Sequence, residues 1–208
     1  MNKTKLIVRG LIARFAQLID SFSGGRITAN TITYIGLIGF LLIGFLIIIN
    51  QDILAAIFLI IFGLFDTLDG ELARLKNNDS ANGMLLDAST DRLKEIILLA
   101  ALAFQVVADY HQPIEALIVV IALGTSMLIS YVKAKGEAIL VSQTKKISHQ
   151  KLNRIFGGGL MSYEFRTLII IIALFFNLII PALIVLIILG TYTYLSRFLI
   201  ISKYLSSE

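Results

Sequence analysis

Long apolar runs separated by short polar connections constrain this chain more than any other feature. A helix of about 20 apolar residues is long enough to cross the hydrocarbon core of a bilayer. Six runs of roughly this kind are present, at residues 31–49, 53–74, 84–108, 113–132, 167–180 and 182–202. Because 57% of the residues are hydrophobic and the mean hydropathy is +0.87, we predict an all-α integral membrane protein with six transmembrane helices.

The positions of the basic residues predict the orientation of these spans. All 18 Lys and Arg residues fall in the N-terminal segment, in the second and fourth connections with the adjoining helix ends, or at the C-terminal end. Lys and Arg are enriched in cytoplasmic connections of membrane proteins. We therefore expect a multi-pass protein of the cell membrane with both termini on the cytoplasmic side.

The segment before the first apolar run has the pattern of an amphipathic helix. Apolar residues recur there at steps of three and four and form one stripe, comprising Val8, Leu11, Ile12, Phe15, Leu18, Ile19 and Phe22. Such a helix suits the membrane interface, although a helix packed on the bundle would show the same stripe. We expect one domain over 1–208, with an interfacial helix in 1–26 and a six-helix bundle in 27–208.

Four aspartates lie within the second and third apolar runs. Asp66 and Asp69 are three residues apart, and Asp87 and Asp91 are four apart, so each pair shares one face of a helix. Carboxylates in an apolar setting are costly unless a cation compensates them. The chain has no cysteine, and an all-oxygen ligand set suits Mg²⁺ or Mn²⁺. Two helices side by side would therefore build a divalent metal site.

These aspartates belong to a longer pattern. It reads D-x-x-D-G-x-x-A-R over 66–74, then eight residues, then G-x-x-x-D-x-x-x-D over 83–91. The pattern resembles, position for position, the signature of the CDP-alcohol phosphotransferase family of membrane enzymes. An ion-coupled transporter could also use buried carboxylates, but it would not need the glycines, the alanine and the arginine at these positions.

The resemblance implies a role for each residue of the pattern. It makes Asp66, Asp69, Asp87 and Asp91 ligands of two metal ions, and Asp91 also the catalytic base. It places a further set of residues beside the nucleotide of a CDP-linked lipid, and this set comprises Asn30, Thr31, Thr33, Gly70, Ala73, Arg74, Ser80 and Gly83. Asn30 to Thr33 lie in a segment similar to the family's T-P-N-x-x-T motif, with Ala29 where proline is usual.

A second segment bears on the acceptor of the reaction. The sequence from Ser130 to Ala138 resembles that of the phosphatidylinositol phosphate synthase branch. This similarity implies that Lys133, Lys135 and Arg166 bind the acceptor phosphate. Basic residues at these positions would equally flank a cytoplasmic helix end. The G-x-x-E-R-x-E-R motif that often precedes the fifth span of that branch keeps only its last arginine securely, at Arg166.

The function implied by the resemblance is phospholipid synthesis. A phosphatidyl (or archaetidyl) group would pass from a CDP-linked lipid to the hydroxyl of a small polar acceptor, releasing CMP. Inositol phosphate is the favoured acceptor, and glycerol phosphate, serine and free inositol remain open. Transfer from a soluble CDP-alcohol to a lipid hydroxyl would need the same carboxylates. The resemblance further implies a homodimer, and no nucleic-acid partner is expected.

The predicted topology can be tested by labelling single cysteines introduced into this cysteine-free chain. With six spans and cytoplasmic termini, Gln51→Cys and His111→Cys should react with an impermeant maleimide in intact cells. Asn78→Cys and Ser148→Cys should react only after permeabilisation. Labelling of positions 51 and 78 from the same side would contradict the predicted topology.

Overall fold

The protein is helical throughout the part of the chain that the structure describes. This computed structural model describes residues 3–76, 80–110, 113–143 and 161–206. Within these ranges there are eight helices and no strand: α1 Lys3–Phe22, α2 Ala29–Ile48, α3 Asp52–Gly63, α4 Phe65–Leu75, α5 Ala81–Tyr110, α6 Pro113–Gln143, α7 Tyr163–Phe176 and α8 Ile179–Ser206. They divide into two compact units, Met1–Ala101 and Leu102–Glu208.

Capping residues set several of the helix ends. The Thr28 hydroxyl accepts a hydrogen bond from the backbone N–H of Thr31 at the start of α2, and Ser162 does the same for Phe165 at the start of α7. Asn50 after α2 and Asn177 after α7 adopt positive φ angles of 58° and 53°, a conformation that asparagine tolerates well at a helix end. The predicted break after the first run is therefore confirmed. The break between the fifth and sixth runs is also present, but it begins at Asn177, so the fifth helix ends before the predicted limit of 180.

Four helical stretches in the described part of the chain are long and apolar enough to cross a membrane. They are Ala29–Ile48, Asp52–Leu75, Ile114–Ile139 and Ile179–Ser206. The second joins α3 and α4, which are separated only at Leu64. The all-helical membrane fold is thus confirmed. Helix α5 carries several charged residues, and α7 has 14 residues, or about 21 Å, so the count of six spans stays a prediction.

Helix α1 packs against α4 in the first unit. A buried cluster of Ala16, Ile32, Leu68 and Leu72 joins α1, α2 and α4, and Ile12 and Ile19 pack around it. At the end of α4, the Lys76 ammonium lies 2.9 Å from Asp20 and donates hydrogen bonds to the carbonyl oxygens of Gly25 and Ile27. These contacts hold the segment that leads into α2 against the end of α4.

The apolar stripe of α1 is only partly used by this packing. Phe15, Leu18 and Phe22 keep 57%, 53% and 90% of their surface exposed. Packing on the bundle therefore accounts for one side of the stripe. Contact of the exposed side with a membrane interface stays a prediction.

Glycines allow close helix contacts in both units. In the first unit, a side chain at Gly39 of α2 would collide with the ring of Phe62. In the second unit, a Cβ atom at Gly190 of α8 would lie 2.7 Å from Cγ2 of Thr125 on α6. Within a bilayer the hydrophobic effect does not drive helices together, and small residues at such crossings favour association because they let the helices pack closely. The pairs α2–α3 and α6–α8 are packed in this way.

Candidate functional site

An open cavity in the first unit collects most of the residues of the aspartate motif. It encloses about 490 Å³ between the N-terminal end of α2, the middle of α4 and the segment that begins α5. Its lining comprises Ala29, Asn30, Thr33, Asp69, Gly70, Ala73, Ser80, Gly83, Met84 and Asp87. Residues from three separate stretches of sequence therefore meet around one space.

Two helix N-termini border this cavity. Helix α2 begins there at Ala29, and α5 begins there at Ala81, where the Ser80 hydroxyl accepts a hydrogen bond of 3.0 Å from the backbone N–H of Gly83. The N-terminus of a helix carries a partial positive charge and backbone N–H groups that favour anions. The cavity thus combines two carboxylates, Asp69 and Asp87, with two helix N-termini that attract a negatively charged ligand.

The Asp69 carboxylate is held in place by α2. Its Oδ2 accepts a hydrogen bond of 2.7 Å from the hydroxyl of Thr33, which is also 3.1 Å from the carbonyl oxygen of Ala29. Thr33 and Asp69 are only 4% and 5% exposed. A hydrogen bond to a buried carboxylate fixes its orientation, so Asp69 presents its other oxygen in a defined direction.

Gly70 and Gly83 occupy different settings in the cavity wall. A Cβ atom at Gly70 would have no neighbour within 4 Å, whereas one at Gly83 would lie 3.1 Å from Oγ of Ser80 and 3.7 Å from Oδ1 of Asn30. Gly70 therefore leaves open space for a ligand beside the backbone. Gly83 lies in the first turn of α5, where a larger residue would crowd the hydroxyl of Ser80.

Most of the predicted nucleotide-binding residues line this cavity, but two do not. Thr31 donates its backbone N–H to the hydroxyl of Thr28, which caps α2. Arg74 is exposed and forms a 2.6 Å ion pair with Glu71. Among the aspartates, Asp69 and Asp87 line the cavity, while Asp91 lies one turn further along α5, 3.8 Å from the ammonium of Lys94. The side chain of Asp66 lies outside the described part.

The predicted acceptor residues lie in the second unit. Lys133 and Lys135 are exposed on α6, while Arg166 of α7 is 5% exposed and donates a hydrogen bond of 3.1 Å to the carbonyl oxygen of Met161. Arg197 of α8, which the sequence reasoning missed, is 8% exposed and donates to the carbonyl oxygen of Ile129. Its charge is repelled by Arg166 and attracted by Glu137.

Glu164, at the start of α7, is affected electrostatically by two of these basic residues. The pKa of Glu164 is lowered, although burial by itself would raise it, because a hydrogen bond from Ser162 and the positive charges of Arg166 and Lys133 outweigh burial. Glu164 therefore stays ionised. Positive charge predominates among these residues of the second unit.

Comparison with known proteins decides the family. Residues 26–195 match the family model described as CDP-alcohol phosphatidyltransferase. The chain belongs to this family. The resemblance drawn from the aspartate motif is thereby confirmed, and the matched region includes every residue that lines the cavity.

Curated relatives share parts of the sequence. Phosphatidylinositol phosphate synthase of Corynebacterium glutamicum is 38% identical over 86 residues, which cover 40% of this chain and 39% of that protein. The enzyme of the same name from Mycobacteroides abscessus is 30% identical over 106 residues, or 48% of each protein. The matched segments thus span less than half of the length of these two relatives.

Solved structures share the fold. The phosphatidylinositol phosphate synthase of Mycobacterium tuberculosis with CDP-DAG bound gives a TM-score of 0.74 at 20% identity, covering 91% of this chain and 92% of that one. A structure of that enzyme in complex with manganese and citrate gives 0.74 at 21% identity, covering 91% and 88%. At these identities the similarity concerns the fold.

The donor groups in the cavity of this CDP-alcohol phosphatidyltransferase family member fit a divalent metal. Two carboxylates, Asp69 and Asp87, line it from different helices, and oxygen ligands are those that Mg²⁺ and Mn²⁺ prefer. Among the residues whose side chains are described, no group of three or more His, Cys, Asp or Glu is clustered closely enough to hold a metal. The described side chains thus bring two carboxylates to one cavity, and the metal site itself stays a prediction.

The sequence reasoning also missed Met84 and Lys94. Met84 follows Gly83 directly and lines the cavity, a position that no chemical pattern distinguishes from other apolar residues. Lys94 is completely buried. A sequence signal for Lys94 was present, since it lies seven residues after Asp87 and three after Asp91, spacings that return to the same face of a helix.

The hydrogen bond between Thr33 and Asp69 leads to a prediction about metal binding. Thr33→Val keeps the volume of the side chain but removes the hydroxyl that orients the Asp69 carboxylate. If Asp69 is a ligand, we expect Mn²⁺ to bind about tenfold more weakly, as measured by electron paramagnetic resonance of free Mn²⁺. Thr33→Ser retains the hydroxyl and should bind Mn²⁺ like the wild type. Equal affinities in both variants would contradict this role of the hydrogen bond.

Proposed function

We propose that this protein synthesises a phospholipid by transferring a phosphatidyl (or archaetidyl) group from a CDP-linked lipid to the hydroxyl of a small polar acceptor, with release of CMP. The observation that carries the proposal is the cavity itself. In a chain that belongs to the CDP-alcohol phosphatidyltransferase family, Asp69 and Asp87 face one space bordered by two helix N-termini.

The cavity suits the CDP group of the donor. A pyrophosphate is a compact anion, which helix N-termini and a divalent cation can both attract. Asn30 and Ser80 place polar side chains in the wall, and Gly70 leaves the backbone accessible. The M. tuberculosis enzyme of the same fold was solved with CDP-DAG bound, which supports a CDP-linked lipid as the donor.

The metal ligands in this proposal are Asp66, Asp69, Asp87 and Asp91, holding two Mg²⁺ or Mn²⁺ ions. Bound there, divalent ions neutralise the pyrophosphate and stabilise the charge of the departing CMP. Thr33 keeps Asp69 oriented, and Asp69 and Asp87 bring their charges to the cavity from different helices. The manganese complex of the M. tuberculosis enzyme supports the choice of metal.

The proposed reaction is a single displacement at phosphorus. The acceptor hydroxyl oxygen attacks the phosphorus attached to the lipid, a new P–O bond forms, and the P–O bond to CMP breaks. CMP leaves with the bridging oxygen, and the hydroxyl proton passes to the carboxylate of Asp91. A carboxylate can accept this proton at the moment of attack, and its position one turn from Asp87 keeps it on the same face of α5.

Inositol phosphate is the acceptor that the second unit supports best. Arg166 and Arg197 are both almost buried and lie in the same unit, and arginine side chains bind phosphate groups through charge-assisted hydrogen bonds. Lys133 and Lys135 on α6 would add positive charge at the surface. The names of the curated relatives agree with this choice. Glycerol phosphate, serine and free inositol are the alternatives, together with the reversed use of a soluble CDP-alcohol.

The membrane arrangement completes the proposal. The protein spans the membrane six times, with the carboxylates and both termini at the cytoplasmic face, where the water-soluble acceptor is present. The confinement of Lys and Arg to alternate connections supports this orientation. We further propose that the protein is a homodimer, as the family resemblance implies.

The carboxylates provide the direct test of this activity. With CDP-diacylglycerol and inositol phosphate, purified protein should release CMP only when Mg²⁺ or Mn²⁺ is present. Asp69→Asn and Asp87→Asn should each lower kcat/KM by about a hundredfold or more, because each loses a ligand charge that would hold the divalent metal.

Asp52→Asn is the matched control for these variants. Asp52 is also an aspartate of the first unit, but it lies in the first turn of α3 and not in the cavity wall. It should retain wild-type activity. Release of CMP at the wild-type rate by both cavity variants would refute the proposed role of the carboxylates.

The acceptor residues can be tested separately from the donor site. Lys133→Gln, Lys135→Gln and Arg166→Gln should raise the KM for inositol phosphate while leaving that for CDP-diacylglycerol nearly unchanged. Loss of a charge-assisted hydrogen bond costs about 1.5–3 kcal/mol, or roughly ten- to a hundredfold in affinity. Lys203→Gln, at an exposed position of α8, is the control. If no variant changes the acceptor KM, an uncharged acceptor such as serine or free inositol replaces inositol phosphate in the proposal.

A further inference from the structure

Lys94 is a buried cation for which the proposed reaction gives no role. It lies in the middle of α5, and its side chain is 0% exposed. Transfer of an ammonium group out of water is costly unless opposite charge or polar groups compensate it. A lysine in this place therefore indicates a specific partner for its charge.

Helix α2 forms the pocket that accommodates this lysine. The end of the side chain packs beside the backbone of Gly36, since a Cβ atom at that position would lie 3.6 Å from the Nζ of Lys94, an ordinary van der Waals distance. One turn further along α2, the ring of Phe40 has its centroid 5.7 Å from Nζ. An aromatic face attracts a cation at such a distance. The ammonium is therefore held at a fixed position within the first unit.

The carboxylates of the site are the negative charges that lie near the ammonium group of Lys94. Nζ lies 3.8 Å from Oδ1 of Asp91 on the same helix, and the lysine also attracts the carboxylate of Asp87. The basic residue nearest in sequence, Arg92, forms a 2.6 Å ion pair with Glu95. Lys94 thus brings a positive charge to the two aspartates that α5 contributes.

We propose that Lys94 is a positioning residue that acts as a resident counter-ion of this carboxylate cluster. It balances the charges of Asp87 and Asp91 while no divalent metal is bound, and its own charge competes with the metal for these carboxylates. This inference rests on the proposed function, because it requires that these aspartates bind a divalent metal.

The proposal has two opposite consequences for the protein. A fixed positive charge beside the ligands stabilises the metal-free state, in which the carboxylates would otherwise repel one another. The same charge opposes the binding of a second cation close by. Removing the charge should therefore weaken the metal-free fold and strengthen metal binding, whereas a lysine with a purely structural role would affect stability equally with and without metal.

The experiment compares Lys94→Met, which keeps an unbranched side chain without charge, with Lys94→Arg, which keeps the charge. Mn²⁺ alone is titrated into purified protein without substrate, and free Mn²⁺ is followed by electron paramagnetic resonance. Thermal unfolding is recorded without metal and with saturating Mn²⁺. We expect Lys94→Met to bind Mn²⁺ about tenfold more tightly than the wild type. Without metal it should unfold at a lower temperature than the wild type. Saturating Mn²⁺ should raise its unfolding temperature by more than it raises that of the wild type.

The outcomes separate this inference from the function on which it rests. Lys94→Arg should resemble the wild type in Mn²⁺ affinity. If the wild type binds Mn²⁺ and Lys94→Met binds it with the same affinity and the same gain in unfolding temperature, the counter-ion role is refuted while the metal site stands. If the wild type binds no Mn²⁺, the metal-dependent function fails, and this inference fails with it.

A double variant covers the case in which Lys94→Met alone does not fold. Removing the Asp91 charge as well, in Lys94→Met/Asp91→Asn, should restore folding, because the unbalanced carboxylate is then absent. Where all variants fold, the loss of unfolding temperature caused by Lys94→Met should be smaller in the Asp91→Asn background. Equal losses in the two backgrounds, or a double variant that also fails to fold, would overturn the proposal.

Discussion

The central constraint on this protein is the cost of placing charge in an apolar interior. Its helices carry one aspartate, one lysine and two arginines that are buried or nearly so, Asp69, Lys94, Arg166 and Arg197, and each such group needs opposite charge or hydrogen bonds close by. The structure meets this need locally. Thr33 bonds to Asp69, Lys94 lies beside Asp91, and each arginine donates to a backbone carbonyl.

Helix packing serves the same constraint. Charged groups can be compensated only if the helices that carry them approach closely, and glycines make this possible. Gly39 admits the ring of Phe62 at the crossing of α2 and α3, and the end of Lys94 packs beside Gly36 on α2. Glycines that permit close packing in a membrane thus lie beside both an aromatic ring and a charged side chain.

Sequence spacing was sufficient for much of the candidate site. The interval between Asp69 and Gly70 on one helix and Gly83 and Asp87 on the next identified the family, and these four residues line one cavity. Spacing could not separate the residues that face the cavity from those that face away. Arg74 belongs to the same motif, yet it is exposed and pairs with Glu71.

The sequence by itself determined the helical class, the breaks at Asn50 and Asn177 and the family, because hydrophobic run length, helix-ending residues and a motif within 26 residues are local properties. Only the tertiary structure decided which partners the buried charges have. The contact of Thr33 with Asp69 spans 36 positions and that of Arg197 with Ile129 spans 68. Such contacts depend on how helices pack against one another, and no local pattern encodes that arrangement.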